Sequence, residues 1–427
     1  MAPSNTLEKI LRFTKKLIPT SLFSRIQPEY HFLFAFFAAL AYRFPSRHIK
    51  VVAITGTKGK TSTTEIVNAI LEEAGYRTAV AGTLRFKIGE EEERNLYKMT
   101  IPGRFFVQRF LRRAVNAKCD WVILEMTSEG ARQSRHRFIN FDALIFTNLS
   151  PEHIESHGSF EKYKDAKLSI ARALSSSAKH PRIIVANADN EYAKEFLMVG
   201  ADIKTTYALK DAEPYTLEKD GTMFTFADAP LRAHLSGVFN LSNMLAGIAF
   251  ARAIGITPEV IHRALEKFHG IRGRVEHINM GQDFDVIVDY AHTTDSLEKV
   301  YEVFQDSRKI CVLGGTGGGR DTWKRPAMGA VANAHCDEII LTDEDPYDED
   351  PQKIVSEIMA GIENSKAKII MDRREAISHA ISLAKTGDAV IITGKGTDPY
   401  IMGPNGTKTS WDDATVAREE LIKLGFK

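Results

Sequence analysis

The sequence predicts an α/β protein built from two parallel-sheet domains. Short apolar runs alternate with helical patterns in two separate series, one starting near residue 49 and the other near 284, the pattern of parallel strands joined by covering helices. At 427 residues the chain is too long for one core. A turn of small residues, Gly56 to Gly59, joins the first strand to the first helix. The expected division is a short helical segment over 1–48, a central domain over 49–276 and a C-terminal domain over 277–427.

In the leading segment, Leu7, Ile10, Leu11, Leu17 and Ile18 fall at roughly helical spacing among Lys9, Arg12, Lys15 and Lys16. Such a stripe is a helix packed on the domain behind it or one lying on a membrane surface. The run FLFAFFAALA, residues 32–41, is far short of the ~20 residues a membrane span needs. In the first series IKVVAIT reads as a strand and TSTTEIVNAILEEAGY as a helix closed near Gly75. DWVILEMT, DALIFTNL and RIIVANADN are further buried strands, and EEEER (90–94) reads as a solvated turn. In the second series FDVIVDYAH, KICVLGGTG, DEIILTDED, AKIIMDRR and DAVIITGKG are five strands, placing a domain junction around 270–280.

With 56 basic against 55 acidic residues, nothing points to nucleic acid, whose partners carry a strongly basic face. Cys119, Cys311 and Cys336 are expected to form neither a disulfide framework nor a zinc site; with no secretory signal, they suggest a reducing cytoplasm.

The Gly56–Gly59 turn has two residues between its glycines, and Ile54 stands where a longer phosphate loop has its first glycine. Small residues bring backbone N–H groups close to an anion, and a helix starting at Thr61 points its positive end there. Lys60 would neutralise terminal phosphates, and the Thr61 hydroxyl could ligate Mg²⁺. Glu125 ends a buried strand, where ligands collect in open α/β sheets, although a surface acid after a strand is common. His153 and His157 follow the next strand to the same edge; lone histidines are more often structural. Lys167 by itself reads as an ordinary solvated helix lysine.

The segments TGTKGKTSTT, TNLSPEHIESHGSFEKYKDAK, GVFNLSNMLAG, GIRGRVE, VIVDYAHTTDSL, GGTGGGRDTWKRPAMG and ITGKGTD occur in the order and spacing of the Mur ligases. The chain from about 49 to 427 resembles their muramyl-tripeptide synthetase branch, in which the short loop is the normal form. The resemblance implies a central P-loop ATPase-type domain and a C-terminal Rossmann-like domain. It also implies a ligase of peptidoglycan precursor synthesis: ATP phosphorylates a substrate carboxylate, and an amine attacks the acyl phosphate. Negative charge builds among phosphates in each step, so cations must be fixed beforehand.

By this resemblance, Gly56, Thr57, Lys58, Gly59, Lys60, Thr61 and Ser62 form the ATP loop, and Glu125 and His153 hold Mg²⁺, two ions being expected. Lys167 aligns with a lysine that family members carbamylate to N6-carboxylysine, able to bind or orient the second ion. Asn240 and Asn243 match adenine-side asparagines; Arg274, Asp289 and His292 match residues reaching ATP from the junction and the last domain. Thr100, Thr127, Gln133 and Arg135 fall where the family contacts the muramoyl-peptide, and Arg320 suits an α-carboxylate.

Two departures matter. Only about 48 residues precede the central domain, where family members carry a domain of about a hundred residues for the uridine diphosphate end. The carrier is therefore expected to be held differently, to be lipid-linked or unusual, or to be bound with a partner; a basic, aromatic N-terminus suits membrane contact. Where diaminopimelate-specific members have Asp-Asn-Pro-Arg, this chain has Glu344, Asp345, Pro346 and Tyr347, and Asp398 follows Gly394 where they have a glutamate. A tyrosine cannot make the bidentate contact of an arginine to a distal carboxylate. An acidic pocket therefore favours L-lysine over meso-diaminopimelate. Rival readings are a folylpolyglutamate-type ligase, a lipid-linked precursor ligase and a non-catalytic P-loop scaffold. The zinc ribbon of the glutaminase-associated lipid-precursor relative needs four cysteines.

Overall fold

The strand-forming runs are continuous in Val, Ile, Leu and Ala because helices cover both faces of the sheet they build. In a computed structural model, described for residues 20–152, 154–319, 322–363 and 367–427 (backbone alone for 20–26, 28 and 155), the first series forms β1 (Lys50–Thr55), β2 (Thr78–Ala81), β3 (Arg85–Ile88), β4 (Glu91–Arg94), β5 (Trp121–Glu125), β6 (Ala143–Phe146), β7 (Ile183–Asn187) and β8 (Ile203–Tyr207). They lie in the order β4-β3-β2-β5-β1-β6-β7-β8. From β2 to β8 the pairing is parallel, and β3 and β4 add an antiparallel edge.

Side chains alternate along β1 as the pleat requires. Val52 and Ile54 join the core under helices 60–73, 238–253 and 258–266. Val51 and Ala53 join the core under helices 104–116 and 160–175. β1 is exposed only at Lys50, and its C-terminal end opens into the Gly56–Gly59 turn.

EEEER is not a bare turn. Glu91–Arg94 pair with Arg85–Ile88 as an edge strand, after a reversal that Gly89 makes at φ 59. Charged side chains keep such an edge in water and away from other strands. Arg85 also bridges Glu92 and the buried Glu65.

A three-stranded antiparallel sheet, β9 (Tyr215–Glu218), β10 (Gly221–Phe226) and β11 (Ala229–Ala233), extends the first lobe. The second lobe holds β12 (Glu276–His277), β13 (Asp285–Val288), β14 (Lys309–Leu313), β15 (Glu338–Leu341), β16 (Ala367–Ile369) and β17 (Ala389–Ile392), in the order β12-β13-β17-β14-β15-β16. All its pairs but β12–β13 are parallel. A hairpin of β18 (Tyr400–Met402) and β19 (Lys408–Ser410) follows, before helix 413–423.

The cysteine expectation needs correction. Cys311 and Cys336 form a disulfide with Cα atoms 6.1 Å apart, and Cys119 is free and buried. Spacing along the chain hid the pair: the crossover helix 324–335 returns the chain so that Cys336 sits just before β15, beside β14. With Cys311 and Cys336 joined, the cysteines do not point to a reducing compartment.

A helix over Thr20–Ala41 lies on the first lobe, with Ala35, Ala38 and Ala39 buried. No helix of the described residues is long and apolar enough to cross a membrane. The stripe from Leu7 to Ile18 lies outside the described residues.

Candidate active site

The Gly56–Gly59 turn folds tightly because two of its positions tolerate no side chain. A Cβ at Gly59 would stand 2.3 Å from Asn243 Oδ1, and one at Gly56 would stand 1.9 Å from Thr147 Oγ1. Gly59 also has φ 79, a left-handed value that glycine adopts at little cost. The turn ends at Gly59, and helix 60–73 begins with its free N–H groups facing the cradle.

Lys60 reaches back over the loop, donating to Gly56 O at 3.0 Å and Thr57 O at 2.8 Å. Burial lowers its pKa, opposed by the charge of Glu125. Lys167 Nζ, from helix 160–175, donates to the same Gly56 carbonyl at 2.5 Å and lies 4.8 Å from the Tyr163 ring. Burial pushes its pKa well below the usual lysine range, and the nearby Lys60 pushes in the same direction. The lone-residue reading of Lys167 as a solvated lysine is thus overturned: it is 1% exposed and lines the loop.

Glu125 ends β5 beside the loop. Its Oε1 accepts from Thr61 Oγ1 and from Thr83 Oγ1, each at 3.0 Å, and its Oε2 accepts from Thr83 N at 2.8 Å. A buried carboxylate beside a helix-start hydroxyl is the donor set expected of a magnesium site among phosphates. Among the described residues no three His, Cys, Asp or Glu side chains cluster to hold a metal unaided. Thr61 and Glu125 fit an ion that also takes oxygens from a nucleotide. His153 lies outside the described residues. His157 Nε2 is 3.1 Å from Ser128 Oγ, and its ring meets Tyr163 edge-on.

Asn240 and Asn243 are buried on helix 238–253, joined by an Asn243 Nδ2 to Asn240 Oδ1 bond of 3.3 Å. Thr63 Oγ1 donates to Asn243 Oδ1 at 3.4 Å, which brings both asparagines behind the loop. Ser62 is buried in the same first turn.

The muramoyl-peptide candidates assemble on the other side of Glu125. Thr83 Oγ1 is 3.0 Å from Thr100 Oγ1. Buried Arg135 donates to Ile101 O and, at 2.6 Å, to Gln133 Oε1; burial first and Arg104 second push its pKa down to about 10. Thr127 caps helix 128–132, its Oγ1 accepting Gly130 N at 3.0 Å.

From the second lobe, Arg274 packs 4.6 Å from the Tyr290 ring, and its charge reaches Lys60. Asp289 is committed to the backbone: its oxygens accept Val275 N at 2.7 Å and Ala291 N at 2.6 Å. Burial raises its pKa, opposed first by Arg274. His292 is exposed, with Nδ1 2.8 Å from Tyr290 O. Arg320 lies outside the described residues.

Glu344, Asp345, Tyr347, Gly394 and Asp398 meet at one end of the second sheet. Glu344 Oε1 accepts from Thr316 Oγ1 at 2.9 Å, and Oε2 is buried with no hydrogen-bond partner. That oxygen faces Gly394, where a Cβ would stand 2.3 Å away. Tyr347 holds a left-handed φ of 54. The two aspartates are paired with two lysines. Lys395 Nζ lies 2.8 Å from Asp345 Oδ1 and 3.2 Å from Asp398 Oδ2. Lys98 Nζ, arriving from the first lobe, lies 2.7 Å from Asp345 Oδ2 and 2.9 Å from Asp398 Oδ2.

Sequence reasoning missed Thr83, Lys98 and Lys395. Lys98 stands two residues before Thr100 and Lys395 lies within ITGKGTD, so both adjoined residues already singled out, whereas no quoted motif adjoins Thr83. It also missed that the Lys58 side chain reaches the second lobe, donating to Thr293 Oγ1 at 2.5 Å. Arg94 makes a further tie, to Asp412 Oδ2 and Thr397 O at 2.8 Å each.

Comparison with known proteins agrees with this geometry. The Mur ligase middle domain profile matches residues 54–251, and that of the Mur ligase, glutamate ligase domain matches 273–396. The chain is 38% identical over 409 residues to the UDP-N-acetylmuramoyl-L-alanyl-D-glutamate--2,6-diaminopimelate ligase of Syntrophomonas wolfei, covering 92% of this chain and 82% of that one. It is 37% identical over 419 residues to the UDP-N-acetylmuramyl-tripeptide synthetase of Roseiflexus sp., covering 91% and 82%. A solved structure of a UDP-N-acetylmuramoyl-L-alanyl-D-glutamate--2,6-diaminopimelate ligase superposes with TM-score 0.62 at 27% identity, over 89% of this chain and 79% of that one. The chain therefore belongs to the Mur ligase family, in its muramyl-tripeptide synthetase branch, whose members are ATP-dependent ligases that form amide bonds.

Proposed function

We propose that this chain adds a diamino acid to a muramoyl-L-Ala-D-Glu-type substrate through an acyl phosphate. The juxtaposition of Lys60, Thr61 and Glu125 with Thr100, Gln133 and Arg135 carries the reading, because it sets a phosphate cradle against a polar, cationic cleft across Glu125. Lys60 and the helix start would hold the β/γ-phosphates. Thr61 and Glu125, with His153, would hold magnesium, which when bound screens the charge passing between phosphate and carboxylate.

Two ions and a carbamylated Lys167 complete the proposal. Carbamylation needs a neutral amine, and burial beside Lys60 favours that form. The new carboxylate would place an anion next to the cradle, where it could meet metal charge.

The amino acid is read from the Lys98 cluster. The case for L-lysine rests on unpaired acids, whereas Asp345 and Asp398 each already pair with Lys98 and Lys395. Glu344 Oε2 remains for an ammonium group, and Lys98, 6.0 Å from the Tyr347 ring and 16% exposed at its side chain, would trade one of its aspartates for a distal carboxylate. Together they suit the zwitterionic distal end of meso-diaminopimelate. L-lysine is the second reading, favoured by the absence of an arginine at 347. A competition assay decides: faster ligation of diaminopimelate supports the first reading, and faster ligation of L-lysine replaces it with the second.

A further inference from the structure

We propose that the outward face of helix Thr20–Ala41 docks this protein on an anionic lipid bilayer. Leu33, Phe36, Phe37 and Leu40 recur at three- and four-residue spacing, the signature of one helix face. Phe37 is 54% exposed, Leu40 51% and Leu33 50%, while Ala35, Ala38 and Ala39 on the opposite side are buried. Phe32 and Phe34 flank the stripe, both exposed. The layer continues beyond the helix: Phe138 meets Phe32 and Phe36 at 5.1 and 5.4 Å, and exposed Phe105 lies 6.4 Å from Phe34. An apolar patch of this kind marks an interaction site.

Arginines rim it. Arg43 and Arg47 are exposed at the end of the helix, and Arg137 is exposed next to Phe138. Arg112 holds Tyr42 O at 2.9 Å, and Arg104 lies 5.7 Å from the Tyr30 ring. Against these five cations the neighbouring acids are Glu29 on the helix and Glu129, whose charge reaches His31. Aromatic side chains inside a cationic rim match acyl chains below anionic headgroups, the geometry of a helix lying in the interface. A second copy joined through the same face would set arginine rim against arginine rim. Residues 1–19, with Lys9, Arg12, Lys15 and Lys16 against Glu8, carry the same sign as the rim.

The face adjoins the cleft. Arg104 Nε donates to Gln133 O at 2.8 Å and its Nη2 contacts His31 Nδ1, so a docked bilayer lies beside the substrate loop; this consequence rests on the reading of Gln133 given above.

The test is flotation of the full chain with vesicles of phosphatidylcholine alone and of phosphatidylcholine mixed with phosphatidylglycerol. Binding should be at least about tenfold stronger to the anionic vesicles. The Phe37→Glu/Leu40→Glu variant should lose about tenfold or more of it, and Arg43→Glu/Arg47→Glu should lose the anionic preference. Calorimetry of magnesium-dependent ATP binding on each variant checks the fold and separates this proposal from the ligase reading. No flotation with anionic vesicles, unchanged flotation of folded Phe37→Glu/Leu40→Glu, or light scattering that shows a dimer broken by that variant would each overturn it.

Discussion

Lys58 Nζ, on the phosphate loop of the first lobe, donates to Thr293 Oγ1 of the second lobe at 2.5 Å. The same ammonium lies 3.3 Å from Asp295 Oδ2. A loop that meets a nucleotide is thus tied to the second lobe, and in the function proposed above closure of that lobe would keep water from the activated carboxyl group. The ion pair is half-buried at Lys58 and exposed at Asp295, which keeps its worth to about 1 kcal/mol; the hydrogen bond contributes about as much. Lys58→Ala should lower kcat/KM for ATP about threefold to tenfold and leave the melting temperature nearly unchanged, as steady-state kinetics and calorimetry would show.

Gly59 tolerates no side chain. Its left-handed backbone costs other residues roughly 1–2 kcal/mol, and a Cβ would meet Asn243 Oδ1 at 2.3 Å. Isothermal titration of Gly59→Ala with ATP and magnesium should show affinity reduced more than about tenfold.

Lys167 is the position where chemistry and burial meet. Lys167→Ala should lower activity roughly 10- to 100-fold, the scale of losing a group that orients a metal. Short carboxylic acids added to the assay should restore part of it if the working group is a carboxylate. A loss that no acid relieves would remove carbamylation from the account.

Lys98→Met tests how the amino acid is read. Removing a cation opposite a distal carboxylate should raise the KM for diaminopimelate about tenfold or more, the scale of a charged hydrogen bond, and change that for L-lysine much less. Equal changes for both would make Lys98 a tie between lobes and nothing further.

His31 supplies a pH dependence. Burial and the adjacent Arg104 lower its pKa from 6.5 to about 4, so between those values the unfolded chain binds the extra proton. Stability contributed by the neutral ring is complete above about pH 6.5 and is lost as pH falls toward 4. The loss amounts to about 2–3 kcal/mol after allowance for screening. Melting curves of wild type and His31→Gln should converge across this window as the pH is lowered.

Much of the two larger sheets and the phosphate loop were legible in the sequence because their signals are local. Apolar runs such as VVAI and VILE mark strands buried on both faces, and Gly56 to Thr61 marks the turn that follows. What escaped depends on long-range pairing. Lys98 finds Asp345 across 247 residues, Lys58 finds Thr293 across 235, and Cys311 finds Cys336 only through a crossover helix. The acidic run at 90–94 was hidden for a different reason: an edge strand facing water on its sides has the composition of a turn.

The most direct measurement is ADP release by the purified chain with ATP and magnesium, supplied with a muramoyl-dipeptide and a diamino acid singly and together. Release that requires both, in step with the amide product, is the result expected of a ligase. Release independent of either, or none under any combination, would contradict it.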